Sequence, residues 1–86
     1  MTIKGFVIKE KNKDNYYNGG KMGHKFSGFY GAKIYKSHKV ALKALESIKS
    51  YGYNFCIYEV EATIKSLETN EAVDWYSQYE RIRKID

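Results

Sequence analysis

The stretch that decides the fold is SHKVALKALESIKSYGYNFCIYEVEATI, residues 37–64. Its first half places apolar residues at helical spacing, and Ser37 is a residue type that caps helix N-termini well. Gly52 is the type that ends a helix in the left-handed conformation. The lysines of this segment fall on the face away from the apolar stripe: Lys39, Lys43 and Lys49. We therefore expect one amphipathic helix over about residues 37–51, with its lysines in solvent.

The second half of this stretch alternates in the manner of a strand. One side carries Cys56, Tyr58, Val60, Ala62 and Ile64, and the other carries Glu59, Glu61 and Thr63. Such alternation predicts a strand from Phe55 to Ile64 with one face in solvent. We expect Cys56 to be a small buried hydrophobic residue. We expect the two glutamates to be the solvated side of the strand rather than a catalytic carboxylate pair.

The segment before the helix predicts three further strands. Ile3–Glu10 alternates loosely, and the polar residues 11–15 that follow are typical of a hairpin loop. Tyr16 and Tyr17 begin a second strand, and residues 32–35 form a third. Between these two strands, residues 20–31 predict an irregular loop of a length that is usually functional or mobile.

The C-terminal segment is ambiguous. Its apolar residues suit a helix capped by Asn70, whereas the alternation over residues 76–85 also suits a strand, and we favour the helix. No linker or repeat divides the chain. The sequence therefore predicts a single α+β domain over residues 1–86. It combines a mainly antiparallel sheet of three or four strands, one packed helix, and a C-terminal helix or strand.

The formal net charge of +5 hides an asymmetry between the two halves of the chain. Residues 1–50 hold eleven lysines and three acidic residues, whereas residues 51–86 hold four basic and seven acidic residues. A basic half on a small domain attracts phosphate backbones or acidic protein surfaces. The charge alone favours neither.

The sequence carries no recognised catalytic or cofactor motif. The single cysteine excludes an internal disulfide and predicts a reducing, cytoplasmic setting. The two histidines lie fourteen positions apart without zinc-ligand spacing, and no nucleophile-elbow, P-loop or dinucleotide-binding pattern occurs. No apolar run is long enough for a signal peptide or a membrane span. We expect a protein that is not an enzyme, has no cofactor or metal, and does not associate with membranes.

Residues 15–37, NYYNGGKMGHKFSGFYGAKIYKS, combine six aromatic residues, five glycines, four lysines and a histidine without an acid. Glycines let the backbone approach a ligand, lysines neutralise phosphates, and exposed rings stack on bases. This mixture predicts contact with nucleic acid, single-stranded or RNA-containing, because no recognition helix for duplex DNA is evident. The residues expected to contact phosphate are Lys21, His24, Lys25, Lys33 and Lys36, and those expected to stack are Tyr16 with Phe29 or Tyr30. The alternative is that these rings simply form the core and the glycines form turns.

Three segments together resemble short, mostly uncharacterised proteins of phages and prophages of low-GC bacteria. They are GFVIKEKNKDNYYNGG, GAKIYKSHKVALKAL and CIYEVEATI, and the resemblance covers about residues 5–64. It implies an accessory protein that disables host machinery or immunity, including CRISPR and other defence systems, by occupying a surface. Such an inhibitor would bind a host protein through the same loop or through the end that contains Trp75.

The segment GAKIYKS, followed by ALKAL, is also similar to the hybrid-binding domain at the front of ribonuclease H1 and viroplasmin proteins. Phe29, Ala32, Tyr35 and Lys36 occur here in a comparable order, although the first helix of that domain is lacking. This second resemblance implies binding of RNA–DNA hybrids and a small sheet with helices.

Overall fold

The computed structural model describes residues 2–19, 26–52, 54–64, 72–73 and 79–85. The strands are β1 (Thr2–Glu10), β2 (Tyr16–Tyr17), β3 (Phe26–Ser27), β4 (Ile34–Tyr35), β5 (Phe55–Ile64), β6 (Ala72–Val73) and β7 (Tyr79–Lys84). The helix α1 spans His38–Ile48, and two 3-10 turns span Phe29–Gly31 and Lys49–Tyr51. The predicted α+β class is confirmed. The described residues form one sheet of seven strands, which is larger than the three or four strands expected.

The two longest strands, β1 and β5, form the centre of the sheet. They pair antiparallel without interruption from Thr2 opposite Thr63 to Glu10 opposite Phe55. Strand β7 pairs with the other edge of β5. Because β1 and β5 are both rich in β-branched and aromatic residues, they suit a central position.

Two short strands share the remaining edge of β1. Tyr16 of β2 lies opposite Lys9, and Tyr35 of β4 lies opposite Phe6. The Lys33 backbone N–H donates to the Tyr17 carbonyl at 3.0 Å, which joins the two strands end to end. The chain therefore leaves this edge after β2 and returns to the same edge at β4. Strands β3 and β6 pair outside β2 and β4, respectively.

The β1–β2 connection is the predicted hairpin. The Glu10 N–H donates to the Asn15 carbonyl at 2.9 Å, and Asn12 adopts a positive φ of 64°, which asparagine tolerates. Glu10 is buried, and its carboxylate accepts from the Asn15 amide at 3.2 Å and lies 3.5 Å from the Lys13 ammonium. These contacts satisfy a carboxylate that would otherwise be costly to bury.

The helix begins where predicted and has the predicted faces, but the α-helix ends at Ile48 and its last predicted turn, Lys49–Tyr51, is a 3-10 turn. The Ser37 hydroxyl accepts a hydrogen bond from the Val40 N–H at 3.2 Å, and Gly52 ends the following 3-10 turn at φ 81°. The three predicted lysines are exposed, whereas the apolar stripe is buried or half-buried. The stripe packs on one face of the sheet, in a cluster built on Ile8, Tyr35, Ala41 and Ile48, with Phe6, Tyr17, Phe26, Val40, Ala44, Leu45, Phe55 and Ile57 around it.

The opposite face of the sheet carries a second buried cluster. It consists of Val7, Tyr16, Ala32, Ile34, Val60, Ala62 and Ile82, with Ile3, Phe29 and Tyr58 packed against it. The prediction of one wet face on β5 is therefore only partly right. Glu59 is exposed, but Phe55 and Ile57 on the same side pack under α1. Cys56, expected to be buried, is only half-buried.

The favoured C-terminal helix is wrong for the residues that the structure describes. Residues 72–73 and 79–84 are strands, and Ile82 of β7 lies opposite Ala62 of β5. A ten-residue central strand exposes a row of backbone hydrogen-bonding groups, and pairing with β7 satisfies them. This pairing, together with the burial of Ile82, outweighs the helical spacing of the tail. Asn70 and Trp75 lie outside the described residues.

Gly5 is required where β4 crosses close to β1. A Cβ atom at this position would lie 2.5 Å from Ile34 Cγ2 and 2.9 Å from the Tyr35 carbonyl oxygen. We expect Gly5→Ala to lower the free energy of unfolding by about 1–3 kcal/mol, because the backbone of β4 has to move. Urea unfolding of the full chain measures this change.

Gly28→Ala is the matched control for this substitution. Gly28 has an ordinary φ of −70°, and the nearest described atom to a Cβ there, apart from its chain neighbours, is an Asp14 carboxylate oxygen at 4.0 Å. The free energy of unfolding of Gly28→Ala is expected to stay within about 0.5 kcal/mol of that of the parent chain. Equal effects of the two substitutions would contradict the close approach of β4.

Candidate nucleic-acid interface

Four of the eight predicted site residues have side chains that the structure describes. Lys21, His24 and Lys25 lie outside the described residues. Tyr30 belongs to the 3-10 turn Phe29–Gly31, but its side chain is outside the description. The remaining four are Tyr16, Phe29, Lys33 and Lys36.

Tyr16 is not an exposed stacking ring, so this part of the prediction is wrong. It is fully buried, and its ring centroid lies 5.2 Å from that of Phe29. Because Tyr16 lies opposite Lys9, its side chain points to the same face as Val7 and joins the buried cluster there. Phe29 is only half-buried, and one side of its ring packs against the buried Tyr16 ring.

Lys33 and Phe29 belong to different surroundings. The Lys33 ammonium lies 5.7 Å from the centroid of Tyr35, a ring of the helix-side cluster. Its side chain runs beside Gly19, where a Cβ atom would come within 2.9 Å of Lys33 Cδ. Phe29 packs on the opposite cluster. Lys36 is half-buried next to β4. The four predicted residues whose side chains the structure describes therefore do not form one continuous patch.

A patch that the sequence did not reveal lies on the face of the sheet opposite α1. The Lys9 ammonium lies 4.8 Å from the centroid of the Tyr58 ring. The Lys84 ammonium lies 5.6 Å from the centroid of Phe29 and 5.9 Å from that of Tyr16. We call Lys9, Phe29, Tyr58 and Lys84 the cation–ring patch. Its members come from β1, the first 3-10 turn, β5 and β7.

The members of the cation–ring patch are accessible to different degrees. Lys84 is exposed, and Lys9, Phe29 and Tyr58 are half-buried. The alternation of β5 had indicated which side Tyr58 occupies. The position of Lys84 depends on the pairing of β7 with β5. The sequence did not predict this pairing, because the C-terminal segment suits a helix as well as a strand.

The Tyr16 hydroxyl lies beneath this patch in an unusual environment. It is buried and has no hydrogen bond of ordinary geometry to the residues that the structure describes, although Lys84 and Asp14 lie near enough for weak polar contact with it. Burial raises the pKa of Tyr16, nearby Lys84 lowers it, and Asp14 raises it, so that the net change is upward. The charge of Lys84 therefore acts on a site that is largely shielded from water.

The cation–ring patch has groups that can bind planar and anionic ligands. Across residues 2–19, 26–52, 54–64, 72–73 and 79–85, no three His, Cys, Asp or Glu side chains are placed to hold a metal ion. In the same part of the chain, no helix has both the length and the apolar character needed to cross a membrane. Half-exposed rings beside ammonium groups can stack on planar groups and attract anions.

Comparison of the chain with protein-family models, curated proteins and solved structures found no match. The resemblances to phage proteins and to the hybrid-binding domain therefore stay predictions.

The buried Tyr16 hydroxyl gives a prediction for stability. We expect Tyr16→Phe to leave the free energy of unfolding at neutral pH unchanged or to raise it by as much as about 1–3 kcal/mol, since an unsatisfied buried group is removed. Urea unfolding measures this change, and Tyr58→Phe, at a half-buried ring, is the control. A clear loss of stability in Tyr16→Phe would contradict the absence of a hydrogen bond.

The same hydroxyl also predicts a pH dependence. Burial raises the pKa of Tyr16 in the folded chain above the ordinary tyrosine value of 10.0. The stability that the protonated hydroxyl provides relative to the ionised hydroxyl is therefore complete below about pH 10. It is lost as the pH rises from there towards the pKa of Tyr16 in the folded chain. Between neutral pH and pH values above about 10, Tyr16→Phe should lose less stability than the parent chain. Burial also raises the pKa of Tyr35, but this residue is present in the parent chain and in Tyr16→Phe, so its ionisation changes the stability of both chains equally.

Proposed function

We propose that this chain is a non-catalytic protein that binds nucleic acid, single-stranded or RNA-containing, through the cation–ring patch. The observation that carries the proposal is the placement of two ammonium groups within 6 Å of three ring centroids on one face of the sheet. The proposal keeps the ligand class expected from the sequence but moves its centre from the glycine-rich loop to the sheet.

The two kinds of group in the patch have separate tasks. The half-exposed rings of Phe29 and Tyr58 offer flat apolar surfaces on which unpaired bases can stack. Lys9 and Lys84 supply positive charge for the phosphates that connect those bases. Aromatic stacking on a sheet is a common way to recognise single-stranded RNA, whereas duplex DNA is usually read by a helix or a two-stranded ribbon in the major groove.

The surplus of lysine in the first half of the chain supports the same ligand class. Lys9 belongs to that half, and the net positive charge of its residues speeds the approach of a polyanion. Direct contacts by Lys21, His24 and Lys25 are part of the proposal.

The second candidate function is inhibition of a host protein, as the phage resemblance implies. One observation favours it: Leu42 is 42% exposed on α1, with the exposed Lys39 and Lys43 beside it. An exposed leucine flanked by lysines suits an acidic protein surface with an apolar centre. This candidate uses α1 and not the cation–ring patch.

Removing the two ammonium groups of the patch tests the first candidate. We expect Lys9→Gln with Lys84→Gln to weaken binding of a fluorescently labelled single strand and to lower the slope of log affinity against log salt by about 1.4, or about 0.7 for each lost phosphate contact. Fluorescence anisotropy at several salt concentrations measures both effects. Lys39→Gln with Lys43→Gln removes the same charge from α1 and is the control.

Two results would contradict the proposal. One is salt-independent or negligible binding of the parent chain to RNA and to single-stranded DNA. The other is an equal loss of affinity and slope in the patch variant and the α1 variant. A protein partner recovered from nuclease-treated lysate, and lost with the α1 variant, would then favour the inhibitor candidate.

Tyr58→Leu separates stacking from charge. Leucine keeps an apolar side chain against the core but offers no ring face, so binding should weaken by about 1–3 kcal/mol, with the salt slope unchanged. Tyr58→Phe keeps the ring and should bind like the parent chain. The anisotropy titration above provides the measurement, and circular dichroism checks that each variant is folded. Equal affinity of the leucine and phenylalanine variants would exclude stacking on this residue.

A further inference from the structure

A polar groove of about 350 Å³ lies at the β7 side of the sheet. It is lined by Thr2, Glu61, Thr63, Arg81, Ile82 and Arg83. Because side chains alternate along strands, Thr2, Thr63 and Arg81 point to the face that also carries α1. That helix covers the far end of the same face, around Ile8 and Ile57. The groove and the cation–ring patch therefore lie on opposite faces of the sheet.

The groove brings together hydrogen-bond donors from three adjacent strands. Thr2 of β1 lies opposite Thr63 of β5, and Thr63 lies opposite Arg81 of β7. Two hydroxyl groups and one guanidinium thus form a single row across the sheet. Neighbouring strands are about 4.8 Å apart, so Thr2 and Thr63 are one spacing apart, and the long Arg81 side chain can reach the same ligand from the next strand.

Among the residues that the structure describes, the charges around this row are net positive. In the next row, Arg83 Nη2 lies 2.6 Å from a Glu61 carboxylate oxygen. This ion pair neutralises Glu61, the acidic residue that lines the groove. Lys4 lies opposite Glu61 on the other side. Arg81 is exposed and has no ion-pair partner among the described residues. Among the described residues that line the groove, Arg81 is therefore the cation without an ion-pair partner.

We infer that this groove binds a phosphate group, with Arg81 and the hydroxyls of Thr2 and Thr63 as its donors. The planar guanidinium can donate to two oxygens of one phosphate, and each hydroxyl can donate to another. The Glu61–Arg83 pair closes one side of the groove and places a second guanidinium beside the ligand. The volume lies at the lower end of ligand sites, which range from about 300 to 1,000 Å³, so a phosphate with an attached sugar fits.

The phosphate can come from a small molecule or from a nucleic-acid strand, and three probes separate these sources. Inorganic phosphate, a nucleoside 5′-monophosphate and a single-stranded oligonucleotide without terminal phosphate are titrated into the isotope-labelled full chain at constant ionic strength. We expect saturable changes in the backbone amide signals of Thr63, Arg81 and their neighbours. Arg81→Gln should weaken binding at least about tenfold, since hydrogen bonds to charged groups are the strong ones.

Lys39→Gln, which removes the same charge from α1, should leave the binding of the probe unchanged. Thr63→Val keeps the shape of a β-strand residue, removes one donor and serves as a second variant if Arg81→Gln alters the fold. Saturation by inorganic phosphate or the monophosphate assigns the groove to a free or terminal phosphate. Saturation by the oligonucleotide alone assigns it to the backbone of a strand.

The inference is overturned if none of the three probes gives saturable changes at the groove. It is also overturned if chloride at the same ionic strength gives the same changes, or if Arg81→Gln behaves like Lys39→Gln. Lys9→Gln with Lys84→Gln should remove binding at the cation–ring patch and leave the affinity of the groove for inorganic phosphate intact. Failure of the patch and failure of the groove are therefore distinguishable.

Discussion

The uninterrupted pairing of β1 with β5 determines the rest of the structure. From Thr2 opposite Thr63 to Glu10 opposite Phe55, each residue has a fixed partner, and the side chains of each pair share a face. A slip of one residue would transfer every side chain of the displaced strand to the other face. The register is held because both faces of the sheet are buried: Val7 and Val60 pack on one side, and Ile8 with the half-buried Ile57 on the other.

This register also separates the two candidate binding sites. Lys9 and Tyr58 point to the face opposite α1, whereas Thr2 and Thr63 point to the face that carries it. Strand β7 contributes to both sites, because Lys84 points to one face of the sheet and Arg81 and Arg83 point to the other. The basic side chains of these two sites therefore lie on opposite faces of the sheet. The sequence predicted a single basic surface centred on residues 15–37.

Elements with one clear periodicity were predictable from the sequence, and elements that depend on distant partners were not. Helix α1 and strand β5 each show a single pattern, and Ser37 marks where the helix begins. The tail fits both periodicities, and only the free edge of β5 decides in favour of a strand. The burial of Tyr16 follows from its pairing with Lys9, which composition does not reveal. The contact between Lys84 and Phe29 joins residues far apart in the chain, so no local pattern could indicate it.

The rings of the cation–ring patch are already in contact with the protein's own lysines, and the relative energies decide whether a base can displace them. A cation over a ring at an exposed site is worth about 0.5–1 kcal/mol. A base stacked on an aromatic side chain is worth about 1–3 kcal/mol. A stacking base therefore gains more than the lysine loses, and the displaced ammonium groups of Lys9 and Lys84 stay close enough to neutralise the adjoining phosphates. In the unbound chain the same contacts cover part of each ring, which reduces the apolar surface exposed to water without closing the site.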